Sequence, residues 1–170
     1  MVLTKFEKVK ICRDVSVPIF RFVDYFKGFE DVEAVKQMFG DETEKVLQEL
    51  KLEFFSFGSA RALLGVNEKN GHIFINADYL EHGDARDIYL DVIHELVHVK
   101  QLMDGKQLRG ARFGYIENPT EIEAYHYTIE EAKRIGMSNK ELYEYLKVDW
   151  ITDEDAKKLA KTLGIEIDNS

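Results

Sequence analysis

The sequence predicts an α+β fold: a small antiparallel sheet packed on one long helix and the helix after it, with extra helices at both ends. Three observations carry this. Helical patterning fills the first 50 residues and everything from Asp84 onward. Between them the period changes to short aromatic and β-branched runs. The longest apolar-periodic segment, Asp84 to Asp104, is opened by a capping residue and closed by a glycine.

Taken in order, VPIFRFVDYFKGF (17–29) is strongly apolar and reads as a helix, with Pro18 suited to its first turn. DVEAVKQMFG (31–40) and DETEKVLQEL (41–50) read as short amphipathic helices with acidic caps. LEFFSFGS (52–59), RALLGV and HIFINA read as three antiparallel strands, the last two joined through the turn-forming NEKNG (67–71). Asp84 caps the long helix and Gly105 ends it in the left-handed conformation, giving a rod roughly 30 Å long. ARFGYIE (111–117) is a loop with a short strand. A helix then runs from NPTE to about Ile135, ended by Gly136. SNKELYEYLK (138–147) and TDEDAKKLAKTLG (152–164) are two further helices, with Trp150 anchoring the joint between them.

The chain has 170 residues, 45% of them hydrophobic, which suits one domain with its own core. Within it, residues 1–50 form a helical N-terminal part, 51–136 the chemical core and 137–170 a C-terminal helical segment. The net charge of −9 argues against a nucleic-acid or anionic-membrane surface. One cysteine, Cys12, excludes an internal disulfide and a cysteine-based zinc site. Neither a signal peptide nor a run of roughly 20 apolar residues is visible, so a soluble, cytoplasmic protein is expected.

The chemistry concentrates in DVIHELVHVKQ (91–101). On a helix His94 and His98 stand one turn apart on one face and can offer nitrogens to one ion. Glu95 is rotated about 100° from His94, so its carboxylate falls beside the ion instead of on it. There it can take a proton from a water whose pKa the metal has lowered. The apolar stripe Ile88, Val92, Leu96, Val99 and Met103 buries this helix. The competing reading is a pair of core histidines satisfied by hydrogen bonds.

A catalytic zinc takes three protein ligands. No third histidine follows His98 at short range, so the next helix must supply one: Glu121, Glu123 or His126. Glu121 shares a face of small residues with Ala124, Tyr125, Thr128 and Ala132. Glu123 shares a charged face with Glu130 and Arg134. This favours Glu121 as ligand. A capping box of Asn118, Pro119 and Glu121 would explain the same residue without a metal. Asp91, one turn before His94, is placed to orient an imidazole.

HELVH followed by a helical Glu-x-x-Ala (EIEA, 121–124) resembles the gluzincin metallopeptidases. The small size is similar to the minigluzincins and to the peptidase domain of the ImmA/IrrE group. The resemblance spans roughly residues 60–135. It implies Zn2+ held by His94, His98 and Glu121, with Glu95 as general base toward a zinc-bound water, and a peptide or protein substrate. It also implies that an edge strand before the active-site helix pairs with the substrate backbone. GHIFINADY (71–79) occupies that position, with Asn76 and Ala77 as its substrate-binding residues. For the developing oxyanion, Tyr115, Tyr125, His126, Arg109 and Arg112 are the candidate donors. The helices outside the core leave two other readings. One is a latent or non-proteolytic zinc protein whose terminal helices block the cleft. The other is a regulatory or toxin–antitoxin-type metal-binding module.

Overall fold

A computed structural model describes residues 9–13, 19–56, 63–108 and 114–167. The chain is α+β. Its elements are β1 (Lys10–Ile11), β2 (Ile19–Arg21), the single turn α1 (Phe22–Tyr25), β3 (Phe26–Lys27), α2 (Glu33–Phe39), α3 (Thr43–Glu49) and β4 (Lys51–Phe55). They continue with β5 (Leu64–Val66), β6 (Ile73–Asn76), α4 (Ala77–His82), α5 (Ala85–Met103), α6 (Pro119–Arg134), α7 (Asn139–Leu146) and α8 (Asp153–Thr162). No described helix is long and apolar enough to cross a membrane.

The main sheet is four-stranded and mixed, in the order β2-β4-β6-β5, not a three-stranded antiparallel unit. The β5–β6 hairpin is as expected, pairing Leu64 with Ile75 and Val66 with Ile73 around a turn where Gly71 takes φ 72°. Gly65 leaves room for the Phe74 ring, which a β-carbon there would strike at 2.2 Å. β6 then lies parallel to β4. Ile73 and Ile75 are fully buried on one face, while Phe74, half-buried on the other, packs against Phe55 with centroids 5.9 Å apart. Both edges of β6 are hydrogen-bonded, one to β4 and one to β5.

The helix expected over 17–29 is instead β2, one helical turn and β3; Pro18 lies outside the described residues. A continuous apolar run has no period to distinguish strand from helix. Here the edge of β4 decides, pairing antiparallel with Ile19–Arg21. Phe20 then meets Tyr25 and Phe54, with centroids 4.5 Å and 5.5 Å away. The strand expected in ARFGYIE is a 3-10 turn at Tyr115–Glu117, residues 111–113 lying outside the described set.

The helices at 31–40 and 41–50 are α2 and α3. α5 begins at the Asp84 cap, whose carboxylate accepts from the Arg86 and Asp87 amides, and Gly105 ends it at φ 77°. α6 packs along α5, α2 lies against both, and β5 runs beside α5. The apolar stripe of α5 is buried through Val99, but Met103, the last residue of the helix, is 58% exposed. The N-terminal part is therefore no separate appendage: β2 completes the sheet and α2 completes the packing of α5.

Candidate metal centre

α5 buries His94, Glu95 and His98 together. The two imidazoles lie 4.8 Å apart between centroids, with Nε2 facing Nε2 at 3.2 Å. Glu121 reaches them from the first turn of α6. Its Oε2 lies 3.2 Å from His94 Nε2 and its Oε1 3.5 Å from His98 Nε2. The Glu121 face of α6 is closed, with Ala124, Tyr125, Thr128 and Ala132 all buried. The capping-box alternative does not form. The Asn118 amide donates to Tyr115 O at 3.3 Å, and the Asn118 side chain caps the helix by accepting from Thr120 N. Glu121 is left free to point inward.

These three residues are placed to hold a metal ion. The spacing fits: four ligands at 2.0–2.1 Å around a tetrahedral ion stand roughly 3.3 Å from one another. The donor set of two imidazoles and one carboxylate is the kind that suits zinc.

The cluster is electrostatically unusual. Burial pushes His94 below its ordinary pKa, and the neighbouring His98 adds to this. Burial also opposes charge on His98. Its bond to Glu121 and the negative charges of Glu95 and Glu121 outweigh that, raising it to about 9. Glu121 is held well below the carboxylate range: burial would raise it, but the two histidines outweigh burial. The carboxylates around His98 thus favour its protonated form.

Two tyrosines line the same place. The Tyr125 ring packs edge-on against His94 at 4.6 Å between centroids, and its hydroxyl pairs with that of Tyr115 at 3.0 Å. Burial raises both phenols well above their usual range. His126 is exposed; Arg109 and Arg112 lie outside the described residues. The C-terminal segment approaches here too, Trp150 standing edge-on to Tyr115 at 6.0 Å.

The edge-strand expectation for Asn76 and Ala77 fails. β6 is interior, flanked by β4 and β5. The Asn76 amide N–H donates to Leu63 O at 2.7 Å, its side chain caps α4, and Ala77 is already helical. The reason is that both edges of β6 are already paired, which leaves β5 at the rim of the described sheet.

Asp91 supports no imidazole. It accepts from the hydroxyls of Tyr79 at 2.6 Å and Tyr145 at 2.7 Å, bracing α5 to α4 and α7. The residue that sequence reading missed is Gln101, whose Oε1 lies 2.8 Å from His98 Nδ1. Its signal was present: a polar side chain three residues after His98, on a helix otherwise apolar toward the core.

No family model, no curated protein and no solved structure matches this chain.

Proposed function

We propose that the chain is a zinc-dependent metallopeptidase of gluzincin type, with its small sheet packed on the HExxH helix α5. The observation that carries this reading is the convergence of His94 Nε2, His98 Nε2 and the Glu121 carboxylate, with Glu95 buried at the adjacent helical position. Zinc, when bound, supplies Lewis acidity, lowering the pKa of a water and polarising a carbonyl. Glu95 is not among the three converging ligands, so its carboxylate can accept a proton from the attacking water and return it to the departing amine. Of the paired Tyr115 and Tyr125 hydroxyls one donates to the other, and the hydrogen of the second can be offered to the developing oxyanion.

The substrate in this reading is a peptide in extended form. β5 ends the order of the described sheet and runs beside α5. A further strand would add there, at Leu64–Val66, by main-chain pairing.

The latent alternative also has support. The side chains of His94, His98 and Glu121 are only 9%, 7% and 16% exposed, and Trp150 stands over Tyr115. One experiment separates the readings. Zinc per chain is measured by elemental analysis, and the full chain is incubated with an unfolded protein, with and without chelator. Chelator-sensitive cleavage is expected of a peptidase. Stoichiometric zinc without cleavage would favour latency. No stoichiometric divalent metal after metal-replete purification would sink both.

A further inference from the structure

The geometry points to Gln101 as the positioning residue for two of the three metal ligands, an inference that rests on the metal-centre reading above. Gln101 is 1% exposed and lies one turn beyond His98 on α5. Its amide nitrogen has two hydrogens, and both are committed. One donates to the Thr120 carbonyl at 3.0 Å and the other to Glu123 Oε2 at 2.7 Å. An amide has one face of each kind, so this commitment turns its oxygen toward His98. At 2.8 Å from Nδ1, an oxygen can only accept. The Nδ1 atom of His98 must then carry a hydrogen in either protonation state, so Nε2, beside His94 Nε2 and the Glu121 carboxylate, is the nitrogen left to an ion.

The same amide acts on the second ligand through the backbone. Thr120 immediately precedes Glu121 in the first turn of α6. By holding its carbonyl, Gln101 ties α5 to the turn from which Glu121 reaches inward. Glu123, on the charged side of α6, receives both Gln101 and Lys106, the latter at 2.8 Å. It therefore works behind the site, holding the amide that holds the ligands. Groups that fix the tautomer of a metal-binding histidine are typically worth about 10–100-fold in metal affinity.

The test compares zinc affinity, by chelator competition, in the full-length parent, Gln101→Met and Tyr89→Phe. Methionine keeps the volume and removes every hydrogen bond. Tyr89→Phe removes a buried hydrogen bond to Glu131, far along α5, and controls for lost stability. We expect Gln101→Met to bind zinc about 10–100-fold more weakly and Tyr89→Phe to match the parent. A second measurement needs no variant: long-range proton–nitrogen NMR of the zinc-loaded parent, expected to show His98 protonated at Nδ1 and metal-coordinated at Nε2. Equal affinity in parent and Gln101→Met, or coordination through His98 Nδ1, overturns the inference while leaving the metal centre standing. A parent that binds no zinc overturns both. If Gln101→Met does not fold, the NMR measurement decides alone.

Discussion

Helix α6 carries two glutamates that face α5, Glu131 buried and Glu121 nearly so, and they are satisfied in opposite ways. Glu131, near its end, accepts from the Tyr89 hydroxyl at 2.5 Å and from the Arg134 guanidinium, whose Nε lies 2.6 Å away. Its charge is balanced within the chain by a cation that keeps one side in solvent. Glu121, in the first turn, meets two imidazoles whose own nitrogens crowd each other at 3.2 Å. Burial disfavours the charge on each of these groups, and without an added cation only a captured proton balances them. One end of the helix pair is thus a finished structural contact; the other is placed to hold an ion. A buried carboxylate is a site candidate when its neighbours are ligands rather than donors.

The largest effect should come from neither glutamate but from Glu95. On the peptidase reading, in which Glu95 handles a proton and holds no metal, Glu95→Gln should retain zinc and lose hydrolysis by about 100- to 10,000-fold. Zinc content and cleavage rate, measured on the same preparation, check this. A variant that loses its metal would make Glu95 a ligand. Next comes Glu121→Gln, which removes a charged oxygen from the ion. Zinc affinity should fall by more than about 100-fold, beyond the loss typical of outer residues. Glu123→Gln should be nearly silent, because an amide oxygen can still accept from Gln101. A silent Glu121→Gln beside a crippled Glu123→Gln would reverse the ligand assignment.

Glu131→Gln should do the opposite. It leaves Arg134 without its carboxylate and costs roughly 1–2 kcal/mol in unfolding free energy, moderated because the arginine is 38% exposed. Zinc affinity should not change. Zinc at about 100 times its dissociation constant adds about 2.7 kcal/mol to a chain that binds it. That increment should appear in the parent and in Glu131→Gln and vanish in Glu121→Gln. Its survival in Glu121→Gln would erase the contrast between the two ends of α6.

What the sequence revealed follows the range of the interactions concerned. α5 was legible to within a residue because its cap, period and terminating glycine are all local. The convergence of His94, His98 and Glu121 was legible because helical spacing sets two members and the character of the Glu121 face chose the third. β2 was not, because Ile19–Arg21 is a strand only by virtue of the β4 edge beside it. Nor was the interior place of β6, which depends on what covers Phe74 and on where the chain returns after β4. For that reason the edge position expected at Asn76 did not hold. Gln101 and Asp91 are subtler: their polarity was visible, but their partners come from α6 and from α4 and α7 respectively.

Asp91 provides the smallest and most specific contrast, a third kind of buried carboxylate on the same pair of helices. It has neither the guanidinium of Glu131 nor the ligand neighbours of Glu121; two tyrosine hydroxyls cap it. Part of the residue reaches the surface, but the carboxylate itself is withdrawn from water. Burial raises its pKa to about 6; the two hydroxyl bonds oppose the rise, and Asp87 adds to it by repulsion. An unfolded aspartate titrates near 3.9. Between about pH 4 and 6 the folded chain therefore holds a proton that the unfolded chain has released. Stability from this group is present at the acid end of that window and is lost as pH rises through it. Asp91→Asn removes the titration while keeping an oxygen that can accept from one tyrosine and an amide that can donate to the other. In metal-free protein the variant should gain on the parent as pH rises from about 4.5 to 7, by about 1 kcal/mol once solvent screening is allowed for. Urea unfolding of both chains across that range, with chelator present, measures the gap. The contributions of His98 and Glu121 cancel in the difference, because both chains carry them. A gap that stays constant with pH would mean that Asp91 is charged throughout and that the two hydroxyls stabilise it as fully as Arg134 does Glu131.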